Sequence, residues 1–380
     1  MHKSTNIFLL LTLLAILAGC GPAWQAAIIQ PDGDPFLVDK TVLESLDDFA
    51  VESDGQTQIP LERVLHAAGH RAIERLALVD ADAARVEFEW AAVADDTPLW
   101  LNDGQVAIGG EEFAISYLQV EPPAMMGQVH ANIADIAPTV AAALGIPAPA
   151  QATGQALATP PAKHALLIFL DAFGYVRYTE AMNDGLIPYL ATLDAPLVAL
   201  TVYPPSTAVA SASLLTGAPP TVNGVNQRGI RKTEVETLFD VASGAGLRIV
   251  AVEGDALSFN LRNAELELSG DRDGNGGTDD NVLANALEVL QEGMPDLLFV
   301  HFHGIDDQGH NHGPDAAAER AKIGEVDAAV EQIIRATPPD TLIVIFADHG
   351  MHAVDEQGRQ GNHGHLIERD MFIPIFIITK

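Results

Sequence analysis

From His164 to Lys380 the chain alternates short, almost uninterrupted apolar runs with segments of helical period, and this alternation restricts the possible folds more than any other feature. The runs are ALLIFLDAF, APLVALTVY, LRIVAVEGD, PDLLFVHFH, TLIVIFADH and MFIPIFIIT. Each has the length and β-branched content of a strand buried on both faces. TEVETLFDVASGAG, NVLANALEVLQEG and AAAERAKIGEVDAAVEQIIRA between them read as helices. Strand and helix in turn imply an α/β/α sandwich around a mostly parallel sheet. Open sheets of this kind place their chemistry at the carboxyl ends of the strands.

Several runs end in carboxylates and imidazoles. LLFVHFHGIDDQGHNHGP, from Leu297 to Pro314, breaks at Gly304 and then presents Asp306, Asp307, His310 and His312, which reads as a loop. Asp306 and His310 are four apart, so a tight loop or one turn of helix brings both to a single cation. Oxygen plus imidazole suits zinc or manganese. IFLDAFG ends in Asp171, and IVIFADHGM ends in Asp348 and His349, followed by Gly361-Asn362-His363-Gly364-His365. In PPSTAVASASLLTGAPPTVNGV, Ser206 and Thr207 stand at the expected start of a helix, where bare amides and the helix dipole favour an anion. Eight of the 13 histidines fall between 301 and 365, which points to a shared site rather than scattered structural roles. His301 and His303 face one side of their strand and read as supports for the ligands or as core.

The formal net charge of −32 argues against a nucleic-acid backbone as partner. An anionic substrate can approach such a protein only where bound cations overcome the repulsive field. Residues 1–19 combine Lys3, an apolar run too short to span a bilayer, and Leu17-Ala18-Gly19-Cys20. This resembles a bacterial lipoprotein signal peptide, with Cys20 as the lipidation site and a lipid anchor to a membrane of the cell envelope. Cys20 is the single cysteine, so no other thiol can ligate a metal. Residues 20–35 read as a tether, and 36–123 as a small α+β accessory domain. Asp271 to Asp280, DRDGNGGTDD, resembles a calcium loop in which Val282 stands where a bidentate glutamate is needed.

Four motifs, LDAFG, PPST…LLTG, DDQGHNHGP and ADHGM with GNHG, occur in the order found in the alkaline phosphatase superfamily. The chain most resembles its type I phosphodiesterase/nucleotide pyrophosphatase branch over 164–380. Residues 128–158, with the pattern DIAPTVAAALGIPAP…TGQAL, resemble a segment that usually comes last in these enzymes. A circular permutation is therefore expected, with this helix beside the C-terminal strand. The resemblance implies an alkaline phosphatase-like sandwich and two divalent ions, zinc first and manganese second. Asp171, Thr207, Asp348 and His349 would hold one ion, and Asp306, His310 and His363 the other. Thr207 matches the nucleophile, with Ser206 as alternative; His365 is the alternative to His363, and His303 a supporting residue. The implied activity is hydrolysis of phosphate mono- or diesters through a phospho-threonine. A phosphotransferase or phosphomutase, and a non-catalytic metal-binding lipoprotein, are the alternatives. The asparagine that this branch places three residues after its nucleophile is replaced by Ala210, and Asn223 or Asn226 is the candidate substitute.

Overall fold

The computed structural model describes residues 24–380 except 54, 55, 102, 256 and 357, so Cys20 and the signal segment lie outside the described residues. The chain divides into two compact units, with the division between Pro123 and Ala124.

The first unit contains two five-stranded sheets. One has the order β2 (Pro35–Val38), β1 (Ala26–Ile29), β10 (Tyr117–Glu121), β5 (Arg75–Val79), β6 (Arg85–Glu89). The other has the order β3 (Val51–Ser53), β4 (Gln56–Pro60), β7 (Leu99–Trp100), β8 (Gln105–Ile108), β9 (Glu111–Ala114). A helix after Pro60 spans Leu61–Ala67. The expected tether over 20–35 is corrected here. Ala26, Ala27 and Ile28 are buried, and β1 pairs with β10 in parallel, so AAII is a strand too short for its period to reveal.

The second unit carries an eight-stranded sheet in the order β11 (Ala131–Asn132), β13 (Leu197–Leu200), β20 (Phe372–Thr379), β17 (Thr341–Phe346), β12 (His164–Leu170), β16 (Leu297–Phe302), β14 (Ile249–Glu253), β15 (Glu265–Leu268). All pairings are parallel except the two that β20 makes with β13 and β17. Every residue of β16 and β17 is buried. Because successive side chains point to opposite faces, both faces of the sheet are covered, as the continuous apolar runs require. Helices Ile136–Leu144, Thr207–Thr216 and Leu238–Gly244 pack on one another. Asp279–Glu292, Gly304–His312 and Ala317–Ala336 form a second set.

Residues 128–158 belong to this unit. Asn132 and Asp135 form a capping box, and the helix Ile136–Leu144 ends at Gly145 with φ 68°. This helix lies on β12, β17 and Thr207–Thr216, and β11 pairs with β13 rather than with β20. Thr153 and Gly154 donate their N–H groups to the Gly217 carbonyl at 2.8 and 2.9 Å, which ties the segment to the end of the Thr207 helix. Among the described residues no helix is long and apolar enough to cross a membrane.

Candidate metal centre

β12 and β17 are adjacent central strands, and in register they bring Asp171 and the Asp348–His349 pair to one edge. The chain turns sharply after Asp171, with Ala172 at φ 59°, and the Ala172 N–H donates to Asp348 Oδ1 at 3.1 Å. Two glycines allow these turns to touch. A Cβ on Gly174 would stand 2.5 Å from the Gly350 Cα, and one on Gly350 would collide with the Arg369 carbonyl. Beyond β16 the expected loop is a helix, Gly304–His312, because the i, i+4 spacing of Asp306 and His310 is met within one turn. Thr207 opens the helix Thr207–Thr216, with Ser206 as its N-cap residue.

Around His349 Nε2 lie Asp348 Oδ2 at 3.2 Å, Thr207 Oγ1 at 3.4 Å and Asp171 Oδ1 at 3.6 Å. Beside them Asp306 Oδ2 is 3.3 Å from His310 Nε2, and Asp306 Oδ1 is 3.7 Å from His363 Nε2. The His349 and His363 rings stack with centroids 3.9 Å apart, so the two groups form one centre. Asp306 joins them, since it also groups with Asp171 and His349. The three histidines are oriented alike: Nδ1 of His310, His349 and His363 faces the carbonyl of Gly361, Gly350 and Pro205 at 2.8, 3.0 and 2.9 Å. An Nδ1–H donated to a carbonyl fixes the tautomer and leaves the Nε2 lone pair for a cation. Asp171 Oδ1, Asp306 Oδ1, Asp348 Oδ2 and His363 Nε2 are buried without a hydrogen-bond partner.

The electrostatics have the same cause. Burial, then repulsion from Asp171, pushes the Asp306 and Asp348 carboxyls well above the usual carboxylate range. Burial alone would raise Asp171 too, but His301 and His303 hold it well below that range. Burial lowers His349 and His363, and takes His310 down to about 4, so these imidazoles are neutral at neutral pH. Buried carboxylates converging with the Nε2 atoms of His349 and His363 are the chemistry of a divalent-cation site, and with His310 the two groups fit two ions. The Arg359 guanidinium lies over the His310 ring, with Nη2 2.7 Å from Nε2.

The structure therefore brings together Asp171, Thr207, Asp348 and His349, and beside them Asp306, His310 and His363. Ser206 Oγ is buried without a partner, while Thr207 is the hydroxyl within reach of His349. His365 is displaced from the centre: its N–H donates to Asp370, and its ring is 5.4 Å from His352. Asn223 is corrected as well. Its amide donates to Ser213 Oγ and the Ala218 carbonyl and accepts from the Val225 N–H, which commits it to the turn after the Thr207 helix. The calcium expectation for Asp271–Asp280 also fails. Asp271 accepts the N–H groups of Gly274, Asn275 and Gly276, and Asp279 turns inward to accept from His303 and Gly304 at the start of the Asp306 helix. Among the described residues those carboxylates form no group close enough to share a cation.

Three supports were not singled out from the sequence. Glu253, at the end of β14, contacts His301 and His303. Fully buried Asp370 accepts from Gly364 N–H, His365 N–H and His352 Nδ1, shaping the loop that carries His363. Exposed Arg228 acts electrostatically on Asp306, His310 and His349. A cavity of about 470 Å³ adjoins the centre, lined in part by Arg231, Leu257, Ser258, Thr278, His303 and Asp307.

Residues 252–371 match the sequence model of the type I phosphodiesterase / nucleotide pyrophosphatase family. The chain is 26% identical over 195 residues to the catalytic subunit of human GPI ethanolamine phosphate transferase 3, covering 47% of this chain and 16% of that protein. It is 34% identical over 102 residues to GPI ethanolamine phosphate transferase 3 of Eremothecium gossypii, covering 27% of this chain and 9% of that protein. The chain thus spans less than a fifth of the length of these relatives. Among solved structures, phosphonoacetate hydrolase of Sinorhizobium meliloti 1021 in complex with phosphonoacetate superposes with a TM-score of 0.43 at 17% identity, covering 55% of this chain and 62% of that one. Murine ectonucleotide pyrophosphatase / phosphodiesterase 5 gives a TM-score of 0.41 at 18% identity, covering 51% and 59%.

Proposed function

We propose that this protein is a two-metal hydrolase of phosphate esters in the alkaline phosphatase superfamily, with Thr207 as nucleophile. The observation that carries the reading is the convergence of unpartnered Asp171, Asp306, Asp348 and His363 atoms on the space that Thr207 Oγ1 borders. Asp171, Asp348, His349 and Thr207 would hold one divalent ion, and Asp306, His310 and His363 the other, with zinc or manganese suited to this donor set. Such ions, when bound, favour the alkoxide form of a neighbouring hydroxyl and neutralise the charge of a phosphoryl group.

The chain's own residues then divide the work. Thr207 attacks phosphorus; the Thr207–phosphorus bond forms as the ester bond breaks, and the alcohol departs with a proton. Water next attacks the phospho-threonine, releasing phosphate, or a phosphomonoester from a diester, and restoring the hydroxyl. The amides at the start of the Thr207 helix face the anion. Arg228 supplies positive charge on the open side. The adjoining cavity receives the alcohol portion of the ester.

The second reading is transfer to an alcohol instead of water, favoured by the similarity to ethanolamine phosphate transferases. We also propose that residues 128–158 are a permuted part of the catalytic domain, and that Cys20 anchors the protein to a membrane of the cell envelope. The deciding experiment is a panel of nitrophenyl mono- and diesters, phosphonates and sulfates, assayed after chelation and restoration of zinc or manganese. Hydrolysis that returns with metal and disappears in Thr207→Ala supports the proposal. Metal binding without turnover of any ester sinks it, and phosphorylated product formed from an added alcohol in preference to free phosphate favours transfer.

A further inference from the structure

Behind the first cation position Asp171 belongs to a closed ring of four side chains, and the other three, Glu253, His301 and His303, have no part in the reaction above. Glu253 Oε2 is 3.0 Å from His301 Nδ1 and 2.9 Å from His303 Nε2. The opposite ring nitrogens face Asp171 Oδ2, His301 Nε2 at 3.2 Å and His303 Nδ1 at 3.5 Å. Carboxylate, imidazole, carboxylate and imidazole thus close on themselves. Glu253, His301 and Asp171 are 3%, 1% and 2% exposed, and only His303 keeps an edge, 16% of its side chain, toward the cavity. Packing holds it rigid: His301 lies flat on Phe169 with centroids 3.7 Å apart, and on its other side it meets His303 at 3.7 Å. Asp279 fixes the His303 backbone, and Gly254 leaves room for its ring, since a Cβ there would stand 3.2 Å from His303 Cδ2.

The ring treats the two oxygens of Asp171 differently. Oδ2 faces both imidazoles, whereas Oδ1 has no hydrogen-bond partner and points toward His349 Nε2. We infer that Glu253 is a positioning residue for the first cation: through His301 and His303 it pins the outer oxygen of Asp171 and keeps the inner oxygen trained on the ion. Outer partners of this kind are typically worth about 10- to 100-fold in metal affinity. The inference rests on the metal centre proposed above.

The test is zinc uptake by the chelator-stripped full chain, with calorimetry for the number of ions and competition against a chromophoric chelator for their affinities. Glu253→Ala is expected to bind one ion as wild type does and the other about 10- to 100-fold more weakly, with Glu253→Gln in between. Two unchanged affinities, with melting temperature lowered equally in the stripped and loaded forms, would mark Glu253 as merely structural and overturn the inference. Should Glu253→Ala fail to fold, His303→Gln, which opens the ring at one arm, is read by the same criterion. A wild type that takes up no zinc sinks the metal centre itself, whereas two ions in wild type and unaltered binding in the variants sink this inference alone.

Discussion

Asp171, Asp348 and His349 sit at the tips of two adjacent central strands, whereas His310 comes from a helix and His363 follows the hairpin of β18 (His352–Glu356) and β19 (Arg359–Asn362). The strand-tip group takes its spacing from the hydrogen-bonded ladder, with Asp348 and His349 fully buried. The second group is placed by carbonyl contacts to its imidazoles, and His310, which also meets the Arg359 guanidinium, keeps 15% of its side chain exposed. Strand tips therefore give rigidity to the half beside Thr207. The helix and hairpin give an open half with the softer supports. Under this reading the second ion is the more easily exchanged.

The largest expected effect concerns the attacking hydroxyl. Thr207→Ala should lower turnover by about 10⁴-fold or more while weakening only the strand-tip ion and leaving the other bound as in wild type. Asp306→Ala should remove turnover as well, but by weakening both ions, which calorimetry separates from the threonine variant. Next, His310→Ala should weaken one ion by more than the roughly 10- to 100-fold typical of an outer partner, with the strand-tip ion unchanged. Equal loss of both ions would erase the distinction between the halves.

A pH series sharpens the contrast. In the metal-free protein the Asp306 and Asp348 carboxyls lie well above their ordinary value of 3.8, so their contribution to stability is full below that pH and is lost as pH rises through the folded-state values. The histidines have the opposite sign. His310, lowered from 6.5 to about 4, contributes fully above pH 6.5 and loses its contribution as pH falls toward 4. The gain in melting temperature on adding zinc should therefore grow as pH rises and the carboxylates ionise. A gain that does not change with pH would contradict this account. The smallest effect is expected from Arg228→Ala, which should raise KM roughly tenfold for anionic esters with little change in kcat and none in metal content.

Much of the centre was legible because its residues lie where apolar runs stop. Asp171 ends LLIFLD, Asp348 and His349 end LIVIFADH, and Asp306 with His310 follows LLFVHF. Those runs are β12, β17 and β16, so the carboxyl-edge argument found them. What stayed hidden depends on side-chain direction. Glu253 ends LRIVAVE as plainly as Asp171 ends its own strand, but nothing in the sequence aims it at His301. Asp279 is one acid among several in DRDGNGGTDD, and only the fold selects the one that turns inward to cap the Asp306 helix. Asn223 misled because an amide that binds an anion and one that holds a turn have the same sequence signature. Strand β1, four residues long, offers no period to read.

The contact between Gly174 and Gly350 carries a further lesson. Backbone meets backbone there, so the gap between the Asp171 turn and the His349 turn is set by bare main-chain atoms, with no rotamer to adjust it. A lone methyl at either glycine would act as a wedge, prising apart two ligand-bearing turns without altering any ligand. The tolerances of the chemistry would then be written in two residues that have no side chain at all.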